Sequence, residues 1–414
     1  MQYGLIGEKL GHSFSKEIHT MLKSNPYTLV ELSRDQIEAF FVEKDFSAIN
    51  VTIPYKTIVI PYLSHISEQA KEIGAVNTVV NRGGELWGYN TDFYGLQALI
   101  GHAGITLKDR KVAILGTGGT SKTARAVAKF LGAREILTVS RKAGEGVITY
   151  ADLATDYTDV EVLINTTPVG MYPNTEATPV DISIFPKLSG VIDAIYNPLC
   201  TQLILDAKKR DIKAEGGLYM LVAQAVRASE LFLDCTYEEG TTESVYQTLL
   251  QETENIVLSG MPGAGKSTVG KLLAQDLGRA FFDLDEEIVR AAERSIPEIF
   301  ATDGETAFRD LETRVLCEVL ANKKSIVLAT GGGAILRDEN IDLLHRNGKI
   351  YFIDRPLKAL IPTDDRPLAS SAEAIRRRYE ERYDRYCQTA DCRINGDGSV
   401  VEVAERIRKD FESL

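Results

Sequence analysis

Short apolar runs alternate with segments of helical period through most of the chain, and glycine or polar turns bound each run. Lys111–Leu115 (KVAIL) is apolar at consecutive positions, as expected of a strand covered on both faces. A glycine turn follows at 116–120, and 121–131 carries a helical pattern. Further short apolar runs lie at 135–139, 160–164, Gly190–Asp193 and 211–214. The rhythm restarts at Asn255–Ser259 (NIVLS) with another glycine turn and helix, then strands at 325–329 and 349–353. Residues 372–390 form a long, strongly charged helix candidate. This alternation predicts an α/β protein with doubly wound parallel sheets. A loop and a polar helix at 236–252 separate the two runs, which places the domain boundary near residue 253. No repeat of about 20–50 residues is visible, and the two glycine turns differ, so the halves are not duplicates.

A chain of 414 residues exceeds what one core usually supports, so two or three domains are expected. Hydrophobic residues make up 44% and charged residues 26%, which excludes a globally disordered or fibrous chain. The net charge of −12 argues against nucleic acid as the main partner, yet leaves room for a basic pocket that takes a small anion. The five cysteines (Cys200, Cys235, Cys317, Cys387, Cys392) include no C-x-x-C, and the five histidines are scattered. Neither a disulfide framework nor structural zinc is expected, and a reducing cytoplasm fits. The N-terminus lacks a basic stretch and a long apolar run, and about 18 consecutive apolar residues occur nowhere, so no leader and no membrane span are expected.

In the second half, Gly260-Met261-Pro262-Gly263-Ala264-Gly265-Lys266-Ser267 fits G-x-x-x-x-G-K-[ST] between a strand and a helix. Backbone N–H groups of such a loop converge on phosphates. Lys266 would reach the β/γ-phosphates and Ser267 would sit on Mg²⁺. Gly260, Gly263, Gly265, Lys266, Ser267 and Thr268 are therefore the candidate ATP contacts. Asp283 and Asp285 stand two apart at a strand end, so both carboxylates could serve Mg²⁺ and an attacking hydroxyl. Taken alone, the same pair also reads as a helix N-cap with a solvated acid. Gly331, Gly332 and Gly333 follow a strand and would let backbone amides approach a ligand, or simply make a flexible turn. Arg309, Arg366 and Arg382 are candidate anion clamps, or, each taken alone, solvated surface groups.

The ordered set P-loop, FFDLD, FRDLE, ATGGG, DRPL, ERYDRY resembles shikimate kinase across residues 255–412. The resemblance implies ATP- and Mg²⁺-dependent phosphorylation of the shikimate 3-hydroxyl. It implies Asp285 as the base near that hydroxyl and Asp283 as a metal partner. Arg309, Arg382 and the backbone of Gly331, Gly332 and Gly333 would hold the substrate. Arg366 would be the lid arginine meeting the transferring phosphoryl group, on the second of two DRPL copies. One departure stands out: the family's lid usually carries another Arg near the adenine, and residues 360–365 contain none.

In the first half, Gly116-Thr117-Gly118-Gly119-Thr120-Ser121 has Ser121 where G-x-G-x-x-G puts its third glycine. The next strand ends at Ser140-Arg141-Lys142, which suits a 2′-phosphate and so NADP, unless these are solvated loop charges. Ser13 and Ser15 precede a helix at 16–22 and could bind an anion or cap the helix. Lys56 follows one strand and Asp92 another; a Lys beside an Asp could supply the proton a reduced ketone needs, or form a surface ion pair.

GHSFSKEIH, NVTIPYK, GAVNTV, GYNTD, GTGGTSKTARA, NTTPVGM, DAIYNP and EGGLYMLVAQA, in that order, resemble shikimate dehydrogenase over roughly residues 1–250. The resemblance implies reversible, NADP(H)-dependent reduction of 3-dehydroshikimate with Lys56 and Asp92 as the catalytic pair. Ser13, Ser15 and Tyr196 would bind the carboxylate, and Thr52, Asn77 and Gln224 the ring hydroxyls. Gly116, Gly118, Gly119, Ser140, Arg141 and Met171 would line a Rossmann-type NADP site. The expected layout is a dehydrogenase module at 1–252, with a substrate subdomain (1–100 plus 217–250) and an NADP subdomain (101–216), then a P-loop kinase module at 253–414. Partners are small-molecule substrates, with no nucleic acid and no membrane; self-association stays open. Two alternatives stand beside this bifunctional expectation: one module is a degenerate ligand sensor, or the first is an NAD-dependent quinate/shikimate dehydrogenase.

Overall fold

A computed structural model describes residues 1–11, 14–24, 26–321, 323–360 and 372–413. The chain divides into two compact units, Met1–Leu249 and Leu250–Leu414. The loop and polar helix expected at 236–252 are present as a loop up to Gly240 and the helix Thr241–Thr253.

The first unit holds two sheets. One contains β1 (Tyr3–Gly7), β2 (Tyr27–Glu31), β3 (Ala48–Val51), β4 (His65–Ile66), β5 (Thr78–Arg82) and β6 (Glu85–Tyr89), in the order β2-β1-β3-β5-β6-β4. It is mixed: β1 runs parallel to β2 and β3, whereas β5 is antiparallel to β3 and β6. Gly83-Gly84, both at positive φ (64° and 92°), make the two-residue hairpin between Arg82 and Glu85 and so set the antiparallel β5–β6 pair; β5 reaches β3 through the longer connection 52–77.

The other sheet contains β7 (Lys111–Leu115), β8 (Glu135–Ser140), β9 (Val147–Thr149), β10 (Val162–Asn165), β11 (Gly190–Asp193) and β12 (Lys213–Glu215). Its order is β12-β11-β10-β7-β8-β9, and its named pairs are all parallel. Consecutive apolar residues serve two cores, because successive side chains point to opposite faces. Val112 and Ile114 pack with Leu96, Ala124 and Ile164, whereas Ala113 and Leu115 pack with Leu153, Leu163 and Leu203. Strand order reverses between β7 and β10, which opens a crevice at their C-terminal ends. The helix behind β7 is Gly119–Phe130, beginning two residues before the expected pattern; Gly119 and Thr120 add no apolar side chain to that pattern. The helix Leu218–Leu233 returns to the first sheet. Phe232 stacks on Tyr3 at 5.5 Å, and Ser229 Oγ donates to Ser24 Oγ at 2.9 Å.

The second unit has one parallel sheet: β13 (Asn255–Ser259), β14 (Ala280–Asp283), β15 (Ile326–Ala329), β16 (Gly348–Asp354) and β17 (Cys392–Asn395). Its order is β14-β15-β13-β16-β17. Ile256 and Leu258 join a core with Leu273 and Ile407, and Val257 joins the opposite one with Leu284, Leu316 and Leu344. The glycine turn after β13 therefore lies between the ends of β15 and β16.

Candidate active sites

Lys56 leaves the turn after β3, and Asp92 opens the helix Asp92–His102. Their side chains meet: Lys56 Nζ lies 2.6 Å from Asp92 Oδ2, with the two 26% and 16% exposed. This is a half-buried pair in a cavity, not the surface ion pair the sequence left open. Asn77 Nδ2 donates to Asp92 Oδ1 at 2.9 Å, and Asn77 Oδ1 accepts from Thr91 N at 2.7 Å. Both carboxylate oxygens are thus spoken for, one by the ammonium and one by a buried amide. The cavity measures about 480 Å³, within the usual range of small-molecule sites, and Thr52, Ser15, Tyr196 and Gln224 also line it.

Behind the cavity wall a polar chain runs inward. Thr78 Oγ1 donates to Asn77 Oδ1 at 3.1 Å, Asn50 Nδ2 to Thr78 Oγ1 at 3.1 Å, and Tyr27 Oη to Asn50 Oδ1 at 2.7 Å. Burial holds the Tyr27 phenol well above the ordinary tyrosine range, with Ser15 partly offsetting it. Burial also raises Tyr196. His19 stacks on Tyr27 at 4.0 Å, and burial drops its pKa to about 3, so it is a neutral core histidine. The Ser15 hydroxyl does not cap its helix: Phe14 holds the N-cap position without a side-chain bond. Ser13 lies outside the described residues.

The same cavity reaches Thr120, in the first turn of the helix behind the glycine loop. Gly116 has φ 112°, and a Cβ there would lie 2.8 Å from Thr166 Oγ1. A Cβ at Gly118 or Gly119 would meet open space, so the backbone at the helix start is accessible to a phosphate group. The departure at Ser121 has a local solution: its buried hydroxyl donates to Gly116 O at 2.7 Å and ties loop to helix. Ser140 ends β8, Arg141 is exposed beyond it, and Met171 is 45% exposed. An open glycine turn beside a basic strand end fits a phosphorylated dinucleotide.

In the second unit, Ser267 Oγ donates to Asp283 Oδ2 at 2.5 Å, and Asp285 N donates to Asp283 Oδ1 at 3.0 Å. Asp283 is thus both the N-cap of the helix Leu284–Ala292 and a partner of the P-loop serine. Of the two readings raised for the pair, the N-cap is seen at Asp283, which is buried rather than solvated. Lys266 Nζ donates to the Gly260 and Met261 carbonyls at 2.8 and 3.1 Å. Gly265 closes the loop at φ 91°. A hydroxyl, a carboxylate and an ammonium around a glycine loop are the donor set a magnesium–nucleotide pair requires.

A second cavity of about 480 Å³ adjoins this loop, and Asp285, Arg309 and Arg382 all line it. Arg309 is 7% exposed and donates to Glu312 Oε2 at 2.7 Å. Burial raises the Glu312 carboxyl above its usual range; Arg309 opposes that shift and the charge of Asp285 adds to it. Arg382 donates to Gly332 O at 3.0 Å, and Tyr386 Oη to the same oxygen at 2.5 Å. The three glycines leave no room for side chains. A Cβ at Gly331 would come within 2.6 Å of Asp285 Oδ1, one at Gly332 within 2.9 Å of Pro262, and one at Gly333 would overlap the Arg309 guanidinium. Arg366 lies outside the described residues.

Sequence reasoning passed over several cavity residues. Arg378 lines the kinase-side cavity four residues before Arg382, one turn along the same helix face, and that spacing could have found it. Phe300 and Phe308 form part of an apolar wall, their rings 4.6 Å apart. Lys9 and Asn50 line the first cavity, and both lie in or beside quoted motifs without any periodic signal.

A Lys–Asp pair facing a dinucleotide turn defines a dehydrogenase, and a P-loop beside a carboxylate and arginines defines a small-molecule kinase. Comparison with known proteins narrows both. Residues 5–79 match the family described as shikimate dehydrogenase substrate binding domain, and residues 262–412 match shikimate kinase. The shikimate dehydrogenase (NADP(+)) of Clostridium beijerinckii is 38% identical over 267 residues, covering 60% of this chain and 98% of that protein. A chorismate mutase/shikimate 5-dehydrogenase fusion protein from Clostridium acetobutylicum superposes with a TM-score of 0.56 at 35% identity, covering 60% of this chain and 96% of that one. The Thermus thermophilus shikimate 5-dehydrogenase, solved with NADP(H) and shikimate, gives 0.54 at 25% identity, covering 60% and 99%. The chain belongs to the shikimate dehydrogenase family and carries a shikimate kinase domain behind that module.

Proposed function

We propose that the chain is a bifunctional enzyme of the shikimate pathway. Its first module, residues 1–252, reduces 3-dehydroshikimate to shikimate with NADPH. Its second, residues 253–414, phosphorylates shikimate to shikimate 3-phosphate with ATP and Mg²⁺. When bound, NADPH supplies the hydride and ATP the phosphoryl group, with Mg²⁺ neutralising phosphate charge.

In the first module, negative charge develops on the ketone oxygen as its carbon is reduced. Lys56 Nζ, 2.6 Å from Asp92 Oδ2, gives that oxygen a proton, and Asp92 holds the ammonium in place. Thr52, Asn77 and Gln224 orient the ring hydroxyls, and Ser13, Ser15 and Tyr196 the carboxylate. Gly116, Gly118, Gly119, Ser140, Arg141 and Met171 seat the dinucleotide in the 101–216 subdomain.

In the second module, Asp285 takes the proton of the attacking hydroxyl. Arg309 and Arg382 fix the substrate carboxylate, with Gly331, Gly332 and Gly333 making the floor. Lys266 and the loop amides hold the phosphates, Ser267 and Asp283 hold the cation, and sequence position alone assigns Arg366 to the transferring group. The enzyme works in the cytoplasm on small molecules; among the described residues no helix is long and apolar enough to cross a membrane.

The observation that carries this reading is the convergence of Lys56 and Asp92 on a cavity shared with the glycine turn. The test is a split assay on one purified sample: NADP reduction with shikimate alone, then ADP release with shikimate, ATP and Mg²⁺ but no NADP. Both activities are expected. Absence of the first would overturn the dehydrogenase assignment, and absence of the second the kinase assignment.

A further inference from the structure

We propose that Arg355 is a nucleotide-binding residue of the kinase unit, its guanidinium holding the phosphate chain against the end of the P-loop. This rests on the kinase assignment above. Arg355 directly follows β16, whose end lies against the P-loop that leaves the neighbouring β13: a Cβ at Gly260 would lie 2.9 Å from Ile353 O. The guanidinium then reaches over the last residue of the loop. Its Nη1 stands 3.6 Å from where a Cβ on Gly265 would be, at the start of the helix Lys266–Asp276.

Three observations say what belongs there. Arg355 Nε is buried and has no hydrogen-bond partner. The adjacent carboxylate, Asp354, is taken by Arg393, at 2.5 Å, and by Tyr383 Oη, at 3.1 Å. Among the described residues Arg355 makes no ion pair. A guanidinium beside a helix N-terminus places like charge against like charge, which an anion in between relieves. Arg is also the side chain that grips phosphate oxygens with paired N–H groups. Residues 360–365 carry no arginine, so Arg355 is the last arginine in the sequence before Arg366. It is fixed at the end of a central strand.

The test uses the whole chain, with Arg355→Ala, Arg355→Lys and the unaltered protein. Calorimetric titration with MgADP and with inorganic tripolyphosphate reads binding without turnover, and steady-state kinetics separates KM for ATP from KM for shikimate. Arg355→Ala is expected to weaken both ligands, and to raise KM for ATP, by about tenfold. The kinase kcat at saturating ATP and KM for shikimate should stay within about twofold, which also shows that the unit is folded. Arg355→Lys should recover part of the loss. Unchanged MgADP binding in Arg355→Ala overturns the proposal, and so does a loss for MgADP with none for tripolyphosphate. A protein that binds MgADP but never phosphorylates shikimate would refute the kinase assignment instead, and the titrations would still decide the role of Arg355.

Discussion

The Lys56 ammonium and the Asp92 carboxylate touch at 2.6 Å although 36 positions separate them in the chain. The contact exists because β3 and the helix Asp92–His102 deliver their ends to one cavity, with Asn77 fixing the second carboxylate oxygen. An exposed pair of this kind would contribute about 1 kcal/mol or less to stability. Here the pair's value is positional. Lys56→Ala is expected to lower the dehydrogenase kcat by roughly 10²- to 10⁴-fold with kinase activity intact. Following NADP reduction and ADP release on the same variant checks it; an unchanged first rate would remove Lys56 from the proton step.

Asp283 and Asp285 stand two apart and do different work, since Asp283 is bonded to Ser267 while Asp285 faces the glycine run. Asp285→Asn should cut the kinase kcat by about 10²-fold or more at any Mg²⁺ concentration. Asp283→Asn should instead shift the Mg²⁺ dependence, with partial recovery at high Mg²⁺. Titrating Mg²⁺ against both variants separates the roles, and identical profiles would contradict it.

Glu312 is buried and holds Arg309, so removing it leaves a buried guanidinium with only the weaker Glu305 contact at 3.4 Å. Glu312→Ala is expected to destabilise the second unit by about 3 kcal/mol and to raise KM for shikimate. Glu312→Gln keeps the shape and should cost less. Denaturant unfolding and shikimate titrations of both variants provide the check.

His19 gives a pH dependence with a definite sign. Its folded pKa is about 3 against an ordinary value of 6.5, because burial penalises the charged ring. A depressed folded pKa means that its contribution is complete above about pH 6.5 and is lost as pH falls toward 3. At pH 5 the loss is about 2 kcal/mol. Replacing His19 with Phe preserves stacking on Tyr27 and removes that loss. Between pH 7.5 and 5 the first unit should therefore lose about 2 kcal/mol more in the unaltered protein than in His19→Phe. Equal losses would show that the ring is not held neutral.

The strands and the chemistry-bearing motifs were legible because both are local. KVAIL and NIVLS carry consecutive apolar residues that serve both faces of a sheet, and the glycine turns sit between strand and helix. Meeting points were not legible. Family resemblance paired Lys56 with Asp92 but no local pattern shows that they touch, and nothing near Gly332 announces that Arg382 and Tyr386 hold its carbonyl from 50 and 54 positions away. The antiparallel β5–β6 pair of the first sheet turned on Gly83-Gly84, a hairpin signal the strand–helix rhythm does not contain. Arg355 sits on the first DRPL copy, which sequence order set aside; only its placement beside Gly265 gives it a role.

The run Gly331-Gly332-Gly333 is hemmed in by three unrelated neighbours: a carboxylate, a proline ring and a guanidinium. Any side chain added there collides with a group that is itself in use. A single substitution in the run would have to displace the proposed base, the phosphate loop or an arginine clamp. The triplet is therefore a dead end for one-step variation. Exchanges of substrate in a kinase built this way should enter through the apolar wall at Phe300 and Phe308, where a ring can shrink without an obligatory second mutation.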